Sequence, residues 1–260
     1  VMCCTFGDKT DVVWYKKHNL NYKAIFDMTG KMLPSTGIMS GLKVHAARAR
    51  ILEVLKEKNL LRGQRSIVHA VNVDERCKKE IEYIVLPQWF IRILDFKEKF
   101  LQLADAIEWY PSFMKSRYID WVQNLNWDWC ISRQLFYGIP FPIWHCVDCG
   151  HIIVADSKDL PVDPQEKPCV DQCQKCGCSN IRPDKDIMDT WNTSSLTPYI
   201  DFGLVSQNGT SIFVDEQIKE FLPMSMRPQA HDIIRTWAFY TIVKAWMHNG
   251  TIPWKTIVIS

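Results

Sequence analysis

Apolar positions recur at helical spacing in several stretches. Between Leu42 and Lys58, Val44, Ala47, Ile51, Val54 and Leu55 share one face while Arg48, Arg50, Glu53 and Lys56 fall elsewhere, which predicts an amphipathic helix stopped near Gly63. Phe96–Ile107 and Ser112–Leu125 carry the same period, the second with Phe113, Tyr118, Trp121, Val122 and Leu125 near one face and Pro111 where a helix starts. In His231–His248, Ile233, Ile234, Trp237, Thr241 and Ala245 repeat likewise. A shorter helix is predicted after Gly7, with Asp8 placed to cap it and Asp11 inside its first turn, where the helix dipole favours a carboxylate.

Other stretches read as strands. Val1–Phe6 is a buried-strand pattern, Ser66–Leu94 predicts two or three strands broken by Asp74–Lys79 and by Pro87, and Ile252–Ile259 closes as a strand. An Asn-Gly turn signal lies within Ser206–Thr210. The strand, helix, strand order of the second half predicts a parallel sheet with crossover helices, so the fold class is α/β. Asn126–Trp144, with its aromatics, Ser-Arg-Gln and two prolines, reads as an irregular connection. Both ends fall in apolar runs and read as cut from something longer.

At 260 residues, 47% apolar and 12% aromatic, the chain can bury a core. Eleven Trp against 11 Gly suit pockets that grip flat or apolar groups as well as a Trp-rich core. A net charge of +2 supplies no global field for nucleic acid, so any such contact has to be local. No apolar run approaches the roughly 20 residues of a membrane span, and the start lacks a leader pattern, so a cytoplasmic protein is expected.

Cysteine spacing changes the picture most. Cys146-x-x-Cys149-Gly150 and Cys173-x-x-Cys176-Gly177 each place two thiolates on one tight turn, and four sulfurs suit a tetrahedral, structural zinc. Cys169 and Cys178 are spare candidates, and His145 and His151 flank the first turn. The sequence between Cys146 and Cys178 offers little to bury, so a metal would replace a core there. Three further patterns stay open. Asp189-Thr-Trp191 lies either at the ligand edge of a sheet or at a helix start. His231-Asp232 face a ribose or cap their own helix. Ser132-Arg133-Gln134 is a phosphate or RNA contact, or Arg133 forms a surface ion pair.

Taken in order, these residues resemble the valyl-tRNA synthetases of class Ia, in their archaeal-like branch. The resemblance is carried by Phe6-Gly-Asp-Lys-Thr-Asp11, His69–Cys77, Pro87-Gln-Trp-Phe90, Trp109-Tyr-Pro111, Trp127–Gln134, Asp186–Trp191 and His231-Asp-Ile-Ile234. It implies that residues 1–104 are the C-terminal part of an α+β/β-barrel editing domain. Residues 105–144 and 182–260 would be the second half of a Rossmann-like catalytic domain, and 145–181 an inserted zinc ribbon.

By the same resemblance, Trp191 and Trp237 wall a branched side-chain pocket with Asp189 beside them, and His231 and Asp232 contact the adenylate. Asp11 and Asp8 are editing-site carboxylates, Asp11 holding the α-ammonium of a mischarged ester. Zn2+ is structural, ATP and Mg2+ serve the full-length enzyme, tRNA(Val) and valine are its partners, and it is expected to be a monomer.

Met2 and Cys4 stand where many family members carry Lys and Thr, and neither the His-x-Gly-His nor the Lys-Met-Ser-Lys-Ser signature for ATP occurs. The chain alone is therefore expected not to activate valine, which ATP–pyrophosphate exchange would check. Isoleucyl and leucyl relatives are the nearest alternatives. A non-catalytic zinc-ribbon nucleic-acid module would want a basic stripe, but Asp148, Asp156, Asp159, Asp163, Glu166 and Asp171 outnumber Lys158, Lys167 and Lys175 around the cysteines. A free-standing editing hydrolase is disfavoured because half its pocket is missing.

Overall fold

The computed structural model describes residues 6, 9–74, 76–168, 170–205 and 218–260. The chain divides into two compact units, Val1–Pro87 and Gln88–Ser260. Of the predicted Val1–Phe6 strand only Phe6 is described, and Asp8, Cys169 and the Asn-Gly turn lie outside the described residues.

In the first unit, helix α1 (Lys9–His18) follows Phe6, whose ring stacks on Tyr22 at 5.5 Å and meets Tyr15 edge-on at 5.2 Å. Helix α2 (Val44–Glu57) forms where the apolar stripe predicts it, and Ala47 and Val54 pack with Met39 into a small core. Ile51, expected on the same face, is 41% exposed.

The strands expected over Ser66–Leu94 reduce to less. Val73 and Glu80 form an isolated antiparallel bridge, closed by a turn in which the Asp74 carboxylate accepts the Arg76 and Cys77 N–H groups. Strand β1 (Phe90–Ile91) is two residues long. The physical reason is pairing: Ile67, Val68, Val71 and Ile81 are exposed, and β-branched residues favour a strand only against a neighbouring backbone and a covered face.

The second unit opens with β1, helix α3 (Lys97–Asp105), strand β2 (Glu108–Tyr110) and helix α4 (Lys115–Gln123). Next come β3 (Trp129–Cys130), β4 (Ser132–Arg133), β5 (Ile143–Cys146), β6 (Ile152–Val154), β7 (Ile181–Pro183) and β8 (Ile187–Met188). Helices α5 (Thr190–Ser194), α6 (Thr197–Val205) and α7 (Ile218–Phe221) lead to β9 (Met224–Gln229), α8 (Phe239–Asn249) and β10 (Trp254–Ile259).

β10 pairs in parallel with β2 on one side and β9 on the other, Ile257 standing opposite Trp109 and Arg227. This is the parallel sheet expected of the second half. The β9–α8–β10 crossover works because α8 buries Phe239, Ile242, Val243 and Ala245, and Gly250, at φ 70°, ends it in the left-handed region that only glycine enters freely. Phe100 of α3 meets Phe239 edge-on at 5.7 Å, and the buried Trp109 satisfies its polar edge by donating Nε1 to the Ala104 carbonyl.

Asn126–Trp144 is irregular as expected, made of two-residue strands that pair antiparallel, β1 with β3 and β4 with β8. β6, β5 and β7 form a separate three-stranded antiparallel sheet. Among the described residues no helix is long and apolar enough to cross a membrane.

Candidate functional site

The two cysteine turns have matching geometry. Gly150 N–H bonds to Cys146 O at 2.9 Å and Gly177 N–H to Cys173 O at 2.8 Å, while Cys146 and Cys173 N–H reach the carbonyls of His151 and Cys178. Gly150 and Gly177 have φ of 67° and 72°, where a side chain would strain the turn. Each turn thus aims both its sulfurs at the other turn.

The four Sγ atoms lie within 4.8 Å of one another, with Cys146 to Cys176 at 3.5 Å and Cys149 to Cys173 at 3.7 Å. Sulfurs about 2.3 Å from a tetrahedral zinc stand about 3.8 Å apart, so the quartet fits that ion. Electrostatics agree. The Cys149 N–H, outweighing burial, brings the Cys146 thiol down to about 6. At Cys176 the Cys178 N–H favours the thiolate, but the crowding sulfurs of Cys149 and Cys146 push the thiol up to about 12. Cys178 instead accepts the Asn180 N–H at 3.1 Å.

Beside this sheet, the Asp184 carboxylate accepts Trp89 Nε1 at 2.8 Å and the Asp186 N–H at 2.8 Å, and lies 3.0 Å from His145 Nε2. Burial works to raise its pKa, yet the bonds from His145, Asp186 and Trp89 hold it below the usual carboxylate value.

Asp189 sits at the start of α5 without capping it. Its buried carboxylate accepts Trp129 Nε1 at 3.1 Å and pairs with Arg133 Nη2 at 3.1 Å. Arg133 is turned inward, its Nη1 donating to the carbonyls of Cys130 and Ser132. Trp129 stacks on Tyr240 with ring centroids 3.8 Å apart, and Lys244 Nζ lies 6.0 Å over its ring. Burial, with the Asp189 charge nearby, pushes Tyr240 up to about 12, and burial brings Lys244 down to about 8. A cleft of about 280 Å³ opens here between Arg133, Tyr137, Ile139, Asp189 and Thr193.

Trp191, on α5, packs against the main core. Trp237 lies in a π turn, Ile234–Ala238, between the 3₁₀ turn His231–Ile233 and α8, and its Nε1 donates to the Ser194 carbonyl at 3.0 Å. The two indoles are thereby tied through α5. His231 and Asp232 are exposed at the head of this helical run, and neither side chain caps it. Asp11 is half-buried on α1. It does not line the cavity of about 930 Å³ in the first unit, which is walled by Phe26, Met39, His45, Arg48, His69 and Tyr83 among others.

Sequence reasoning passed over Arg227, Tyr240 and Lys244. Arg227 left one signal, a lone cation in an otherwise uncharged stretch, Leu222–Ala230. The other two differ in no way from ordinary helix residues.

An α/β unit with a parallel sheet, a separate sulfur-bearing sheet and a polar cleft beside α5 describes a class of enzyme domain, and the sequence matches one. The profile of the tRNA synthetases class I (I, L, M and V) covers residues 15–260, and the chain belongs to that family. Over its whole length it is 45% identical to a valine–tRNA ligase of Thermoplasma volcanium, 44% to one of Methanopyrus kandleri and 43% to one of Rickettsia felis. It spans 32%, 27% and 30% of the length of those three proteins.

Proposed function

We propose that this chain is the part of a valine–tRNA ligase that walls the amino-acid side-chain pocket and carries a structural zinc. The whole protein would join valine to tRNA(Val) with ATP and Mg2+: the valine carboxylate attacks the α-phosphate and pyrophosphate leaves, then a tRNA hydroxyl, losing its proton, attacks the acyl carbon of the adenylate and AMP leaves. The observation that carries this reading is 45% identity to a valine–tRNA ligase across the full chain.

Several features support it. Trp191 lies on α5 and Trp237 is bonded to its Ser194 carbonyl, and two flat, rigid indoles suit a branched aliphatic side chain. The buried Asp189 ties Trp129 to Arg133, and the Asp189–Arg133 pair gives the cleft beside α5 a fixed polar side. His231 and Asp232 would accept and donate to ribose hydroxyls, a role compatible with their exposure at the head of a helical run. Zinc would be held by Cys146, Cys149, Cys173 and Cys176, and four thiolates leave no open position, so its role is structural.

Asp11, with Asp8, would serve an editing site for threonyl-tRNA. Such a site is needed because an apolar pocket rejects a hydroxyl-bearing isostere weakly, roughly a hundredfold for valyl enzymes, which are themselves the general example of this limit.

Valine-dependent ATP–pyrophosphate exchange by the complete ligase tests the reading. Valine is expected to outpace isoleucine and leucine, and Trp191→Ala to raise KM for valine about tenfold or more. Faster exchange with isoleucine or leucine would contradict it.

A further inference from the structure

β9 carries a charge into the core. Arg227, opposite Ile257 on the central strand, is 7% exposed. Its guanidinium carbon lies 2.9 Å from the ring centroid of Trp237 and 4.9 Å from that of Trp254. Nε and Nη2 are buried with no hydrogen-bond acceptor among the described residues, and the opposing charge it feels is that of Asp201 on α6. Burial brings its pKa down to about 10, so it remains a cation at neutral pH.

A buried cation with two N–H groups unpaired among the described residues needs stabilisation beyond the Asp201 charge, and the negative faces of two indoles provide it. A guanidinium does this as a plane laid on a plane, which a lysine ammonium cannot imitate. Trp237 is therefore fixed twice, on its face by Arg227 and at its edge by the Ser194 carbonyl. It stands in a π turn where the helix offers its own ladder less support; the Thr241 hydroxyl bonds to its carbonyl at 2.6 Å.

We propose that Arg227 is the positioning residue that fixes the Trp237 indole and so sets the width of the amino-acid side-chain pocket. The pocket rests on the valine-ligase reading; the clamp on the indole does not.

The clamp is tested on this chain by 19F NMR after 5-fluorotryptophan labelling, with the Trp237 line assigned through Trp237→Phe. Arg227→Lys and Arg227→Met are expected to move that line and leave those of Trp121 and Trp144 in place. A stationary Trp237 line overturns the inference. Arg227→Lys keeps the charge and most of the stem, so it carries the test if Arg227→Met fails to fold.

In the complete ligase, Arg227→Lys is expected to raise KM for valine about tenfold while kcat changes less than about threefold, as lost ground-state positioning requires. An unchanged KM overturns the effect on the pocket. Trp237→Ala separates the two claims. If it raises KM and Arg227→Lys does not, Arg227 does not position the indole and the pocket reading stands. If Trp237→Ala leaves KM unchanged, the pocket reading fails and the 19F line decides the clamp.

Discussion

Around β10 the side chains of Phe100, Phe239, Ile242 and Ile257 are wholly buried, whereas Val147, Ile152 and Val154, beside the cysteines, are 50%, 45% and 63% exposed. Both regions lie in the same unit, Gln88–Ser260. The sheet and its helices gain stability from area: each large apolar side chain taken out of water contributes about 1.5–3 kcal/mol. The cysteine segment buries Ile143, Trp144 and Ile153 but little else of that size, so its order has to come from a few strong point interactions. The contrast teaches that a fold can concentrate its stability in one spot when area is lacking, and that such a spot fails all at once.

The sharpest way to break this comparison is at the sulfurs. Cys173→Ser, or removal of metal with a chelator, is expected to abolish amide-exchange protection across β5, β6 and β7 while β2, β9 and β10 keep theirs. Structural zinc in small domains contributes about 10–16 kcal/mol, far more than the exposed valines and isoleucine there can replace. Phe239→Ala should do the reverse. It leaves a cavity against Phe100 and Tyr118, lowers the stability of the parallel-sheet region by about 3–5 kcal/mol in denaturant melts, and leaves metal content unchanged.

A smaller effect refines the core side of the comparison. Burial brings Lys244 down to about 8 from an ordinary 10.5, so below pH 8 the folded state holds a charge it disfavours. Between 8 and 10.5 the unfolded chain binds more protons than the folded one, and stability rises with pH across that window. Lys244→Met is therefore expected to stabilise by about 1–2 kcal/mol below pH 8, the gain fading as the pH approaches 10.5; melts at several pH values check it.

The contrast also explains what could be read in advance. α2, α3, α4, α8 and β10 were legible because the apolar periodicity of each faces the core of its own unit. The cysteine pairs were legible because turn chemistry is local: with two residues between them the thiols share a turn, and the following glycine supplies its positive φ. β9 was not legible. It holds Arg227 and Pro228, neither typical of a strand, and what makes it one is pairing with β10, with the proline on the edge strand where a lost N–H matters least. β2, at three residues, is too short to show a pattern.

Over Ser66–Leu94 the error ran the other way, since composition favoured strands and pairing did not supply partners. The Arg133–Asp189 pair joins residues far apart in the chain, and the π turn at Trp237 shifts the helical frame, so neither leaves a trace in local sequence.

The claim that sulfur and a metal replace a core between Cys146 and Pro183 is tested most directly by measuring metal per chain together with amide exchange before and after chelation. About one zinc per chain is expected, with protection in β5–β7 lost when it is removed and protection in the parallel sheet retained. A metal-free chain whose β5–β7 amides are as protected as those of β10 would contradict it.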